Sequence, residues 1–146
     1  MENNHPALDY FTRGYSCSEA VAAAYATKLG LDRETVVKIA TGFSGGMAQG
    51  KTCGAVTGAF MVLGLTAGSG VIGDACSRDR VYLLVQEFTQ RFTERCGATR
   101  CRDLLAINGI DMNTPGQMKT LRQTGPCAEM VRAAAGILDE LCEEEL

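Results

Sequence analysis

Seven cysteines, at positions 17, 53, 76, 96, 101, 127 and 142, are the side chains of this 146-residue chain best equipped for chemistry. A thiolate attacks electrophiles, ligates metals and gives up electrons, and its reactivity follows its pKa. The number is odd, and the start MENNHPALDYFTRGY has no basic stretch followed by an apolar run, so no cleaved secretion signal and no closed disulfide framework is expected. Separations of 36, 48 and 26 residues from Cys17 through Cys53 and Cys101 to Cys127 give no C-x-x-C pair and no zinc-ribbon spacing.

Position along the predicted helices sorts the seven better than spacing does. Cys17 and Cys53 each follow a hydroxyl residue able to cap a helix, Ser16 and Thr52, which puts them at the first helical position. Cys101 and Cys127 fall in the first turns of helices opening near Thr99 and Pro126. A helix N-terminus carries unpaired amides and about half a positive charge, which favours a thiolate. Four chemically alike, low-pKa thiols are therefore expected, with Arg100 and Arg102 flanking Cys101. Cys96 lies in the last turn of its helix and Cys142 near the end of the final one, where the dipole opposes a thiolate, and Cys76 sits in a loop before Ser77. No role is assigned to these three.

Just before Cys53 the chain reads GGMAQGKT, residues 45–52, which fits the phosphate-binding pattern G-x-x-x-x-G-K-[ST]. Such a loop needs a buried strand before it, so that amides and a helix start surround the phosphates. The preceding DRETVVKIATG has a cap at Asp32 and helical spacing instead. Nucleotide binding is thus the weakest of the readings considered. The glycines serve to bend the chain toward Cys53, with Lys51 as a local positive charge.

The elements that must carry these cysteines are all helical. SCSE at 16–19 is a capping box for a helix ending at Gly30, and Asp32 caps a second that stops at Gly42. Thr52 starts a third helix, with Gly54 and Gly58 on one face for close approach. Residues 78–96 carry Val81, Leu84, Val85, Phe88 and Phe92 at three-and-four spacing, and Gly97 stops that helix. Short helices are expected from Thr99 to Asn108 and from Thr114, Pro115 and Gln117, and a last one from Pro126 through Leu141. No period-two segment reads as a strand. The expectation is an all-α, single-domain compact bundle of five or six helices spanning 1–146, with 1–14 a mobile or loosely packed N-terminal segment.

Composition narrows the function classes. The net charge is −3 with 14 basic residues dispersed, so no nucleic-acid footprint is expected. Residues 52–73 are uncharged but rich in glycine, which argues for a buried helix and against a membrane span, and a cytoplasmic location is expected. The only histidine is His5, so a Cys–His nucleophile pair or a zinc site with several imidazoles is excluded by inventory.

YSCSEAV around Cys17, CGAVTG at 53–58, CRDLL at Cys101 and CAEMV at Cys127 together resemble the C_GCAxxG_C_C family, described as redox-active proteins, over about residues 15–141. The resemblance implies a small helical redox protein whose working residues are Cys17, Cys53, Cys101 and Cys127. Between Phe92 and Cys101 the family usually has F-G-S where this chain has RCGAT, so Cys96 is an extra thiol.

Three functions follow, in order. The leading one is that the four cysteines converge to bind an iron–sulfur cluster or another metal ion for electron transfer, as an electron carrier or oxidoreductase. The second is metal-free thiol–disulfide chemistry with Cys53 as the low-pKa attacking thiol. The third is a structural zinc-stabilised interaction module. A redox partner protein or small redox molecule is expected, and a homo-oligomer is compatible with the small-residue face.

Overall fold

A computed structural model describes residues 5–111, 113 and 125–145. Among these, seven α-helices follow one another: α1 (Pro6–Thr12), α2 (Cys17–Ala26), α3 (Arg33–Thr41), α4 (Gly54–Ala67), α5 (Ala75–Cys96), α6 (Cys101–Ile107) and α7 (Cys127–Glu145). A tight turn, Gly46–Gly50, precedes α4. No strand is present among the described residues; one isolated antiparallel bridge pairs Thr52 with Arg100. The expected helical class holds, with seven helices in place of five or six. The short helix expected around Thr114, Pro115 and Gln117 lies outside the described residues.

The additional helix is α1, which lies in the segment 1–14 for which no helix was expected. His5 and Pro6 start it, the His5 Nδ1 accepting from the Ala7 amide at 3.1 Å. Ala7, Leu8 and Phe11 are buried on one side, against α2 and α7. Tyr25 then fastens α2 to α7: its hydroxyl donates to Asp139 Oδ1 at 2.7 Å and reaches the Ala135 carbonyl at 3.1 Å, while His5 Nε2 lies 3.0 Å from Asp139 Oδ2. Burial and the adjacent Asp139 carboxyl push the Tyr25 phenol well up, so it stays a donor.

The glycine-bearing helix α4 sits at the centre, because a helix apolar on all sides must be surrounded. Its Gly54–Ala59 segment, Val62 and Leu63 are buried. The α2 helix lies closest to it, since Gly58 has the Ser18 carbonyl where a Cβ would stand, at 2.8 Å. On the other side Phe60 meets Phe88 edge-on at 5.9 Å, and Phe88 stacks on Phe92. The α5 helix begins at its Asp74 cap, three residues before the expected start, which places Cys76 inside the helix. Gly97, at φ 94°, ends it as expected. The face of α7 formed by Val131, Ala134, Ile137, Leu138 and Leu141 closes the core. No helix among the described residues is long and apolar enough to cross a membrane.

Candidate functional site

Four of the helices begin at or beside a cysteine. Cys17 is the first residue of α2 after Ser16, whose amide donates to Glu19 Oε1 at 3.0 Å, one half of the expected capping box. Cys101 and Cys127 are the first residues of α6 and α7. Cys53 differs slightly from expectation: it is itself the N-cap of α4, with extended backbone, and its carbonyl accepts from Val56 and Thr57. Thr52 does not cap the helix because it is held in the bridge to Arg100.

That bridge is what joins two of the cysteines. The Cys53 amide donates to the Thr99 carbonyl at 2.8 Å, and the Cys101 amide donates to the Lys51 carbonyl. In an antiparallel pair, residues one step from the bridged pair project to the opposite face from it, so Cys53 and Cys101 leave the bridge on the same side. Thr99 accordingly serves as a bridge acceptor, and Arg100 stands at the cap position of α6.

Cys17 reaches the same place through Gly54. Its sulfur occupies the space where a Gly54 Cβ would be, with the Ser18 amide and the Ser44 Cα each 3.1 Å from that point. Gly46 is equally confined, a Cβ there falling 2.8 Å from the Cys101 Cβ. The chain around Gly46 makes this turn in left-handed backbone, including the non-glycine residues Met47 (φ 60°) and Ala48 (φ 57°). Such conformations cost about 1–3 kcal/mol each and persist where the surroundings impose them.

The electrostatics correct the expectation of low-pKa thiols. Burial pushes the Cys17 thiol up, and the amides of Gly45, Ser18, Cys17 and Gly54 pull only partly the other way. Cys53 is raised furthest, by burial first and then by the neighbouring Cys17, with Cys101 adding to it. Cys101 is pushed up to about 11 by burial and by Cys17, with Arg102 opposing. Loss of water outweighs the helix dipole, because a half charge at a helix end cannot replace the hydration of an anion. Cys53, only 4% exposed, is therefore not the low-pKa attacking thiol. Lys51 is exposed and does not figure among the main influences on any of these thiols, whereas Arg102 acts on Cys101.

Cys127 stands at the edge of this group. It packs against the small cluster of Cys101 and Leu105 and also against the main core. Three residues on, Met130 presents its sulfur 4.0 Å from the Cys53 sulfur. Spacing of three within a helix puts Cys127 and Met130 on neighbouring positions of one face, a signal visible in CAEM but not used. The other cysteines keep apart. Cys76 is exposed, and burial raises both Cys96, beside Arg95 and Glu129, and Cys142, beside Asp139.

All seven cysteines are free thiols. Among the described residues no three Cys, His, Asp or Glu side chains stand at the spacing a single metal ion needs. The phosphate-loop pattern fails its structural test: helix α3 precedes it, Thr52 is bridged, and the Gly45 amide is turned to the Cys17 sulfur.

The family model "Putative redox-active protein (C_GCAxxG_C_C)" covers residues 15–141. The family's printed core has Gly-Cys before the alanine, where this chain has Cys53-Gly54 before Ala55. No curated protein and no solved structure matches the chain.

Proposed function

Since the chain belongs to the C_GCAxxG_C_C family, we propose that Cys17, Cys53, Cys101 and Cys127 form one buried redox centre that takes a thiolate-ligated iron–sulfur cluster and passes electrons. The observation that carries this reading is the crowding of Cys17, Cys53 and Cys101, all raised by burial, with Cys17 raising both Cys53 and Cys101 further and Cys101 adding to Cys53. Thiols so placed keep their protons at neutral pH and do little by themselves. A cationic iron–sulfur core removes both the repulsion and the desolvation cost, and Cys₄ ligation is its usual support.

The donor set suits such a group, being sulfur with no carboxylate or imidazole among the four. Amides already aimed at sulfur, from Gly45, Ser18 and Gly54 on Cys17 and from Ala55 and Val56 on Cys53, are of the kind that tune cluster potentials. When bound, the cluster supplies one-electron transfer. The chain's own residues hold it, keep water out through Leu104, Leu105 and Met130, and orient the amides. A single zinc ion, and with it the structural-module reading, is less well served by sulfurs not drawn to one point.

A metal-free alternative is favoured by one specific feature, the Cys17 sulfur lying against Gly54 and so next to Cys53. There, two thiols would become a Cys17–Cys53 disulfide, releasing two protons and giving two electrons to an organic disulfide or quinone-type acceptor. Anaerobic purification separates the two. The cluster reading expects iron, acid-labile sulfide and visible absorbance, all lost in Cys53→Ser and kept in Cys76→Ser. Colourless, iron-free protein that loses two thiols in a disulfide redox buffer would reverse the order.

A further inference from the structure

We propose that the Thr52–Arg100 bridge carries the docking surface for an acidic electron carrier, with Lys51, Arg100 and Arg102 as its cations. The inference rests on the redox reading above and assigns that site its partner class.

Among the described residues most other basic side chains are engaged. Arg13, Lys38, Arg91, Arg95 and Arg132 each hold a carboxylate, and Lys28 and Arg33 lie over tyrosine rings. Lys51, Arg100 and Arg102 are all exposed and have no carboxylate partner among the described residues. The bridge sets Arg100 opposite Thr52, and the Cys101 amide bonds to the Lys51 carbonyl, so the three cations are carried by the same two short paired segments that carry Cys53 and Cys101. Asp103 is the one acid within this stretch.

The placement runs against the molecule as a whole, which carries a net charge of −3. An acidic chain that keeps three unpaired cations beside its redox centre gives an incoming anion one favoured place of approach. In ordinary salt charges more than about 10 Å away are largely screened, so the local charges dominate at contact, and a surface lined by one sign raises encounter rates by roughly 10–10³-fold. The fitting partner is a redox protein presenting carboxylates around its own centre, since rim charges govern orientation and on-rate more than affinity.

The test uses small outer-sphere oxidants as charge probes on the full-length reduced protein. Each hexacyanoferrate(III) anion or hexaammineruthenium(III) cation takes one electron and is reduced to the corresponding divalent-metal complex. Stopped-flow rates are measured as salt is raised. Docking at the bridge expects the anion to react more slowly at high salt and the cation faster, the reverse of what the net charge alone dictates. Exchanging the cations in Lys51→Glu/Arg100→Glu/Arg102→Glu should slow hexacyanoferrate at low salt about tenfold or more and invert both salt slopes. Arg78→Glu, beside the α4–α5 turn where Ser69 bonds Ser77 at the far end of α4, should leave them unchanged. Salt slopes that follow net charge, or that ignore the triple exchange, overturn the docking surface alone. Saturable inhibition by inorganic phosphate beyond its ionic-strength effect would assign the patch to a small anion and overturn the carrier. If neither oxidant reacts, the redox reading itself fails and the docking surface with it.

Discussion

Replacing Gly58 by alanine should destabilise the protein, while the same change at Gly64, on the same helix, should stabilise it. A Cβ at Gly58 meets the Ser18 carbonyl oxygen at 2.8 Å, the Ser18 Cα at 3.2 Å and the Val21 Cβ at 3.2 Å, all on α2. Two of these are backbone atoms, so α2 must retreat by several tenths of an ångström. A Cβ at Gly64 meets nothing within 4 Å. Alanine gains roughly 0.5–1 kcal/mol over glycine inside a helix at either site, so that term cancels between the variants. What remains is the overpacking cost at Gly58, about 1–3 kcal/mol. Gly64→Ala should then gain roughly 0.5–1 kcal/mol and Gly58→Ala lose on the order of 1–2. For a chain of this size each kcal/mol moves Tm by about 2–4 °C, so thermal unfolding should separate the two by several degrees. Because α2 carries Cys17, Gly58→Ala should also lower cluster content or Cys17–Cys53 disulfide yield, and Gly64→Ala should not. Coincident unfolding curves would refute the claim that the CGAVTG glycines exist to bring α2 against α4.

Stability should fall as pH rises from about 9 to about 11, because Cys101 is pushed up to about 11 from 9.0 and the unfolded chain loses its proton first. That contribution is complete below pH ~9, and urea midpoints in metal-free, reduced protein should show a shallower alkaline decline for Cys101→Ala. Cys17 and Cys53 act in the same direction, so the decline should persist in part. Ala48→Gly should be neutral or stabilising by up to ~1 kcal/mol, because it relieves a left-handed alanine, whereas Ala23→Gly inside α2 should cost about 1 kcal/mol or more; denaturant titration of both tests the turn. Tyr25→Phe should cost about 1–3 kcal/mol in urea unfolding by leaving the Asp139 and Ala135 acceptors short of a donor, and an unchanged midpoint would contradict the α2–α7 link.

Local chemistry in the chain was enough to reveal most of the helices. Asp32 and Gly97 act at the ends they were expected to mark, and the Phe88 and Phe92 stripe faces the core as its spacing implies. The cysteine positions were legible for the same reason, since a residue's place at a helix start depends on neighbours a few residues away. α1 was not legible because its apolar residues Ala7, Leu8 and Phe11 are too few to show a period, and only α2 and α7 give them something to cover.

Sequence by itself determined that the chain is helical, that sulfur dominates its reactive side chains, and that four of its cysteines stand at helix starts. Tertiary structure decided the rest. It brought Cys53 and Cys101 to one face through two backbone hydrogen bonds across 48 residues, and it laid the Cys17 sulfur where Gly54 has no side chain. It also reversed the expected acidity of these thiols. A helix dipole is written in the local chain, but desolvation depends on which distant residues exclude water, and for Cys17, Cys53 and Cys101 that second effect is the larger.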